Sequence, residues 1–466
     1  MPMPRCRVVQ QSLLDNPREL NCELHRKLGP VVRIGPNDVV TDDPEIIRKI
    51  SSPHSGYARS SWYIAGRFNP NHDNLLTILD PKAHKVAKSK SAAAYSGRET
   101  TGLESAVDVQ VKVLLNVLRT RFATTEGPGK EKHLVDLGKV SSYFTMDVIS
   151  RLAFGQDFGY LTEMVDHYDF FAVLRDLWPR MSTCADIPWI RDILFSPLFL
   201  RLKGPRPTDK TGFGALMGVA ERFVKGRFSS GKAQTNDMLD SFIKRGFSPE
   251  ECQAEGLFLL LSGTESTACA IRSTVVHLAT SPVAYNTLKA EIRSAVRNGT
   301  CSNPISFVQA GQLPYLQAVV YEGIRMRPPL LGLWPKVVPA GGDTFHGKYL
   351  PAGTSVGVNH SALLRSTCLF GDDADVYNPD RFMRLEPCRR REMERNVELA
   401  FGYGQWMCAG KSIALMELNK VVFEVFRAFD VQLISPFNPC EAQSYGVFVD
   451  SSLFCKISED EQSVMQ

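Results

Sequence analysis

Apolar and polar positions follow two rhythms along the chain. Between about Asp80 and Asn298 the apolar residues recur mostly at helical spacing, and the polar stretches TTEGPGKEK, KGPRPTDK and SSGKAQTN punctuate them as loops. Closer to the N-terminus, GPVVRIGPNDVVTDDP (Gly29 to Pro44) carries two β-branched runs around a Gly-Pro-Asn turn and predicts a hairpin. Strand signals return after Pro328, as in KVVPAGGDTFHGKYLPAGTSVGVN, and the chain closes with a helix followed by short strands. No internal repeat or low-complexity segment interrupts this order. The pattern predicts an α+β fold, predominantly helical, with small sheets near both ends.

Two helices stand out. Ser248-Pro249-Glu250-Glu251 combines an N-cap serine, proline at the first position and glutamate at the third, so a helix starts there and runs to about Ser281-Pro282. Its centre, Ser262-Gly263-Thr264-Glu265-Ser266-Thr267, is polar between apolar flanks. Serine, threonine and glycine there predict an opening of the helical ladder at Gly263. The second helix follows FGYGQWMCAGK, with apolar residues at Leu415, Leu418, Val422, Val425 and Phe429. Cys408 sits in the loop before it, near Gly402, Gly404 and Gly410. Taken alone, these residues describe either a tight turn with a small apolar filler or a cradle for the sulfur.

Composition narrows the class. A net charge of +4 over 466 residues makes no case for nucleic acid. The one dense basic patch, Arg389, Arg390, Arg391 and Arg395, is interleaved with Glu392 and Glu394 and reads as a solvated face. Eleven scattered cysteines without Cys-x-x-Cys exclude a disulfide framework and a structural zinc site, and they suit a reducing, intracellular compartment. The first 27 residues hold no apolar run long enough to span a membrane, and none appears later.

Three further pieces stand in order. Glu322 and Arg325 lie three apart on one helical face, Pro379-Asp380-Arg381-Phe382 follows, and the cysteine loop comes last. With the polar-centred helix, this order resembles the cytochrome P-450 family, the haem-thiolate monooxygenases. Phe401, Gly404, Cys408 and Gly410 match the family's Phe-x-x-Gly-x-x-x-Cys-x-Gly loop, and Glu322 and Arg325 match its Glu-x-x-Arg. Arg381 matches the arginine that joins that pair, and Ser262 to Ser266 matches the oxygen-activating segment. DPKAHKVAKSKSAAAYSGRE, FTMDVISRLAFGQDFGYL and GYGQWMCAGKSIALMELNK look like fungal secondary-metabolism members of the pisatin-demethylase-like kind.

The resemblance implies a cytochrome P-450 fold over residues 28–466 as one catalytic domain, with the long helix over the haem. It implies haem b as cofactor, Cys408 as the axial iron ligand, and Glu322, Arg325 and Arg381 as a structural network. His84, Lys88, Lys336 and Trp406 would serve the haem propionates. Lysine stands at 88 and 336 where the family often has arginine, and Trp406 where it often has arginine or histidine. Glu265 and Ser266, with Thr267 beside them, would deliver protons; by helical spacing Ser266 and Thr267 both suit the face of Gly263, and the family position selects Ser266. Trp62, Tyr63, Phe170, Phe171, Leu330 to Trp334 and Val447 to Val449 are candidates for the pocket wall. The implied reaction inserts one oxygen atom from O2 into a lipophilic small molecule, with electrons from NADPH through a reductase. The alternatives are a haem-thiolate isomerase or dehydratase without a reductase, and a haem-binding protein without turnover. The family's usual place is the cytoplasmic side of the endoplasmic reticulum behind an N-terminal anchor; this sequence shows no such span, so either it is a truncated form or the protein docks on the membrane by its surface, with peripheral contact.

Overall fold

The hairpin expected near the N-terminus forms: β1 (Val31–Arg33) pairs antiparallel with β2 (Asp38–Thr41), Val31 opposite Thr41. The computed structural model describes residues 24–100, 102–123, 134–230, 236–444 and 446–460. Most of the N-terminal segment, the stretch TTEGPGKEK and the middle of SSGKAQTN lie outside the described residues.

The longer elements run in chain order as α1 (Pro44–Ser51), β3 (Ala58–Arg59), α2 (Pro81–Tyr95), α3 (Leu103–Val117), β4 (Val135–Asp136), α4 (Leu137–Phe154), α5 (Phe170–Asp186), α6 (Gly212–Ser230) and α7 (Pro249–Ala279). Then come α8 (Pro282–Arg297), α9 (Pro314–Met326), β5 (Lys336–Val337), β6 (Asp343–Phe345), β7 (Lys348–Leu350), β8 (Ser355–Val358), α10 (Pro387–Val397) and α11 (Lys411–Ala428). The chain ends with β9 (Phe429–Leu433), β10 (Glu441–Ser444), β11 (Phe448–Ser451) and β12 (Phe454–Glu459). The fold is α+β and predominantly helical. A five-stranded sheet in the order β1-β2-β8-β5-β3 unites the two strand-rich regions, and a three-stranded sheet β4-β12-β9 ties the C-terminus to the start of α4. One hydrophobic core extends from Ile47 to Ile457.

The centre of the molecule is α7, 31 residues long. Its start is the expected capping box: the Glu251 N–H donates to Ser248 Oγ (3.2 Å), and the Ser248 N–H donates to Glu251 Oε2 (2.7 Å). The expected opening at Gly263 does not occur, because the helix runs unbroken through Ser262–Thr267. The hydroxyls there turn back on their own helix: Thr264 donates to the Leu260 carbonyl, and Ser266 donates to the Ser262 carbonyl at 2.7 Å. Gly263 answers a packing demand instead. A Cβ at 263 would lie 2.7 Å from Ile149 Cγ1, so its absence lets α4 cross close against α7.

A second close crossing joins α7 to α9. A Cβ at Gly323 would stand 2.2 Å from Thr274 Oγ1, and Ser273 Oγ donates to the Gly323 carbonyl (3.1 Å). The glycine that weakens α9 locally is what seats it against the central helix. At the other end of the chain, Phe429 lies outside the cysteine helix. It opens β9, fully buried, where the ladder with β12 begins.

Candidate active site

The loop 401–410 folds back on itself before α11. The Cys408 N–H donates to the Phe401 carbonyl at 2.7 Å, and short 3-10 turns at Glu398–Phe401 and Gly404–Trp406 bend the chain between them. Gly404 has φ +57, and a Cβ there would meet the Ser51 carbonyl oxygen at 2.4 Å. Only glycine therefore lets this loop rest on the end of α1. Gly410 has ordinary φ and serves as the N-cap of α11. Cys408 is solvent-exposed, yet protein atoms crowd around its sulfur closely enough to count as burial. Burial pushes its thiol pKa up; the backbone N–H groups of Gly410 and Lys411 and the ammonium groups of Lys88 and Lys411 oppose that and favour the thiolate. The loop is thus built to hold a sulfur anion at a helix N-terminus.

Behind this loop the three expected charged residues meet. Glu322 takes Arg325 through both oxygens (2.7 and 2.8 Å), and Arg381 Nε donates to Glu322 Oε1 at 2.9 Å. Arg325 also donates to the carbonyls of Leu364 (2.8 Å) and Ala374 (2.6 Å). Arg381 pairs with Asp373 (2.7 Å) and donates to the carbonyl of Val376 (2.9 Å). Glu322 and Arg325 are fully buried and Arg381 nearly so. One carboxylate shared by two guanidiniums pins α9 to the 364–381 segment.

Four cationic or basic side chains converge at the other edge of the site. Arg59 and Lys336 face each other across the antiparallel β3–β5 pair, so their side chains share one face. Arg59 lies over the Trp406 ring at 4.6 Å, Lys336 lies 5.9 Å from the same ring, and the His84 ring stands 4.5 Å from it. Lys88 donates to the carbonyls of Gln405 (2.9 Å) and Met407 (2.7 Å), stapling α2 to the cysteine loop. Lys336 donates to Tyr63 Oη (2.7 Å) and to the Trp334 carbonyl (2.8 Å). No carboxylate pairs with this cluster among the described residues. Burial first, and mutual repulsion second, hold the His84 imidazole down at about 3 and keep Lys336 well below the ordinary lysine range. Arg59, at about 10, is lowered by burial.

Like charges directly opposite on a strand pair are destabilising, and buried polar groups ordinarily find partners. Here three buried nitrogens, Arg59 Nε, His84 Nδ1 and Trp406 Nε1, have none among the described residues. Such a donor set suits a ligand carrying two carboxylates. Together with a sulfur-cradling loop, it fits haem. The family resemblance brought forward His84, Lys88, Lys336 and Trp406. It missed Arg59, whose two-residue strand carries no motif, and only the register with Lys336 exposes it.

The central helix presents different residues to different neighbours. Phe258 and Ser266 are half-buried and Ser262 is exposed, whereas Leu259, Leu260, Thr264, Glu265 and Thr267 are buried. The i, i+4, i+8 stripe of Phe258, Ser262 and Ser266 is therefore the accessible wall. Ser266 lies on it and Thr267 does not. Glu265 points elsewhere: one oxygen accepts from Ser142, and the other pairs with the buried Arg272 (2.9 Å). Arg272 in turn pairs with Asp450 of β11 (2.8 Å), which Arg327 also holds. The acid and the alcohol, adjacent in sequence, occupy different surroundings. Among the pocket candidates, Trp62, Tyr63 and Trp334 form one aromatic cluster with ring centroids 5.2–5.9 Å apart. Phe170 and Phe171 are core residues packed with Phe213 and Tyr143. Val447 bridges Leu330, while the Val449 side chain lies outside the described residues.

Glu255 is a titratable group that the sequence did not single out. It lies on α7, 4% exposed, and its Oε1 accepts the Leu75 N–H at 2.6 Å. Arg59 holds the carbonyls of Leu75 (2.7 Å) and Leu76 (2.8 Å) in the same segment. Burial raises the Glu255 pKa to about 8. A carboxyl raised in the fold binds its proton more tightly there than in the unfolded chain. Its contribution is therefore fully present below about pH 4.5 and falls away as pH rises to about 8. Glu255→Gln keeps the acceptor and removes the titration. Its melting temperature should gain steadily on the unsubstituted protein between about pH 5 and about pH 8 and level off above that. Parallel melting curves across that range would contradict the neutral buried acid.

Comparison with known proteins places these features. The family model described as Cytochrome P450 matches residues 5–452. "Cytochrome P450 monooxygenase aba1" of Botryotinia fuckeliana is 58% identical over 440 residues, covering 94% of this chain and 86% of the relative. "Cytochrome P450 monooxygenase abl1" of Leptosphaeria maculans is 62% identical over 427 residues, covering 91% and 75%. "Cytochrome P450 monooxygenase mpaDE'" of Penicillium brevicompactum is 31% identical over 438 residues, covering 90% and 50%.

Proposed function

The chain belongs to the cytochrome P450 family, and from that premise we propose that it is a haem-thiolate monooxygenase of fungal secondary metabolism, acting on a lipophilic small molecule. The observation that carries this reading is the cysteine loop. Cys408 stands at the N-terminus of α11 with two backbone N–H groups directed at its sulfur, beside a cationic cluster that has no carboxylate partner among the described residues. Cys408 would ligate the iron, and Arg59, His84, Lys88, Lys336 and Trp406 would receive the propionates of haem b. When bound, a thiolate-ligated haem supplies the activation of O2 that the reaction requires.

The chain's own residues then do three things. The Glu322–Arg325–Arg381 network holds the scaffold behind the loop. The aromatic cluster of Trp62, Tyr63 and Trp334 offers an apolar wall to the substrate. Ser266, on the accessible stripe, holds a hydroxyl able to pass a proton, while Thr267 is turned into the core. Replacing Ser266 by alanine should leave haem and substrate binding nearly intact, yet divert NADPH oxidation into peroxide. Thr267→Ala should keep normal coupling. The measurement is product formed per NADPH consumed, with peroxide assayed in parallel; the opposite pattern would move the relay to Thr267.

Electrons would come from NADPH through a cytochrome P450 reductase. The exposed Arg389, Arg391 and Arg395 of α10 suit docking to an acidic partner. We read residues 28–466 as one catalytic domain, supported by the large core that runs from Ile47 to Ile457. No helix among the described residues is long and apolar enough to cross a membrane. Peripheral contact at the endoplasmic reticulum is supported by the exposed Trp189, Ile193, Leu198 and Leu202, with Arg201 and Lys203 alongside. The reading is tested by reconstitution with a reductase: substrate-dependent consumption of NADPH and O2 supports it, and product formation without either would favour an isomerase or dehydratase.

A further inference from the structure

Two lysines reach the cysteine loop, and they are held differently. Lys88 gives its ammonium to the carbonyls of Gln405 (2.9 Å) and Met407 (2.7 Å), so neutral groups hold it. Lys411, the first residue of α11 and three positions after Cys408, pairs with an acid instead. Its Nζ lies 2.7 Å from Glu398 Oε2. Tyr321 Oη donates to the other oxygen of Glu398 at 2.9 Å. The Lys411 and Glu398 side chains are 21% and 26% exposed, so solvent reaches the pair.

The two residues bracket the loop. Glu398 opens the 3-10 turn that ends at Phe401, whose carbonyl accepts the Cys408 N–H. Lys411 closes the loop, and its backbone N–H is one of the two directed at the sulfur. Burial raises the Cys408 thiol, and the Lys411 ammonium is among the groups that oppose that rise. Any two polar groups could strut the ends of a loop together. A cation held by an anion does more, because the cation's field reaches the sulfur and the anion offsets part of it.

Resting on the reading of Cys408 as the haem thiolate, we infer that the Glu398–Lys411 pair tunes the electron affinity of the centre that Cys408 completes. Lys411 supplies positive charge beside the sulfur, which favours the reduced centre. Glu398 is the positioning residue: it fixes the ammonium and offsets part of its charge, and so sets how much of that charge the centre feels. Tyr321 holds Glu398 from the side of α9 and ties the setting to the helix that carries Glu322 and Arg325. Replacing one member or the other changes the local charge in opposite senses, whereas a mechanical strut fails in the same way from either end.

The test is a spectroelectrochemical titration of purified, substrate-free holoprotein, with the melting temperature measured alongside. Lys411→Gln should make the reduction potential more negative, and Glu398→Gln should make it more positive. Each shift should reflect roughly a twofold to fivefold change in the reduction equilibrium, the range of a partly exposed charge pair, or about 20 to 40 mV at about 59 mV per tenfold. Lys411→Arg, which keeps the charge, should stay near the unsubstituted value, and the double glutamine variant should return towards it. Added salt should shrink both single shifts, since solvent reaches the pair. Shifts of the same sign in both single variants, with lowered melting, would reduce the pair to a strut and overturn the assignment. Unchanged potentials would overturn it too, as would a shift in Lys411→Arg as large as that in Lys411→Gln. The long-wavelength band of the reduced, CO-bound unsubstituted protein is recorded first. Its absence would overturn the thiolate reading and this inference with it, whereas an intact band without the opposed shifts overturns this inference alone.

Discussion

Replacing Cys408 by serine should abolish the long-wavelength absorption of the reduced, CO-bound protein and, with it, all detectable oxygenated product. The argument rests on ligand chemistry and local geometry together. Burial holds the Cys408 thiol pKa above its ordinary value, the N–H groups of Gly410 and Lys411 and the ammonium of Lys88 oppose that rise, and iron, when bound, would complete the conversion to thiolate. A serine hydroxyl is far too weak an acid to follow, although it fits the same loop. The hydrogen bond from the 408 N–H to the Phe401 carbonyl, and the close approach of Gly404 to Ser51, involve backbone alone. Cys408→Ser should therefore remain folded, with a melting temperature near that of the haem-free unsubstituted protein. The absorption spectrum separates the two roles: if the band survives the substitution, another residue ligates the iron and the assignment of Cys408 is wrong.

Arg381→Ala should yield mostly haem-free or aggregated protein. Arg381 shares Glu322 with Arg325, and it also binds Asp373 and backbone carbonyls of the 370–376 segment. Removing it leaves Glu322 with one cationic partner in a fully buried position and strips several carbonyls of their donor. Breaking a buried ion pair from one side costs roughly 3–5 kcal/mol, a large part of the stability of an ordinary domain. Arg381→Lys should fall between, since an ammonium keeps the charge but lacks the guanidinium fork that reaches Glu322 and Asp373 together. The measurements are haem content after purification and thermal melting. Full haem occupancy with unchanged melting in Arg381→Ala would show that the network is dispensable.

Some of these features were legible in the chain because their physics is local. The capping box of Ser248 and Glu251 needs only residues three apart. The hairpin of β1 and β2 needs a turn between two β-branched runs. The pairing of Glu322 with Arg325 needs one helical turn. The cysteine loop was legible for a related reason, since its glycines and the amphipathic helix after it are contiguous. Arg381 joined the network in sequence only by resemblance to a family.

Other features could be seen only when distant segments met. The polar centre of α7 looked like a break, yet its hydroxyls close on the helix and Gly263 serves Ile149, 114 positions away in the chain's numbering. Gly323 looked like a weakness until Thr274 was found against it. Arg59 became part of the site through its register with Lys336, and Glu265 left the accessible wall because Ser142 and Arg272, itself paired with Asp450, hold it from the other side. By itself the sequence determined the order of helical and strand-rich regions, the start of α7 and the residue types that carry the chemistry, since propensity, capping and short-range spacing act along the backbone. Only the tertiary structure decided which side of each element faces the core and which buried groups are left without a partner. Those outcomes depend on close packing and on the low dielectric of the interior, which no stretch of chain creates alone.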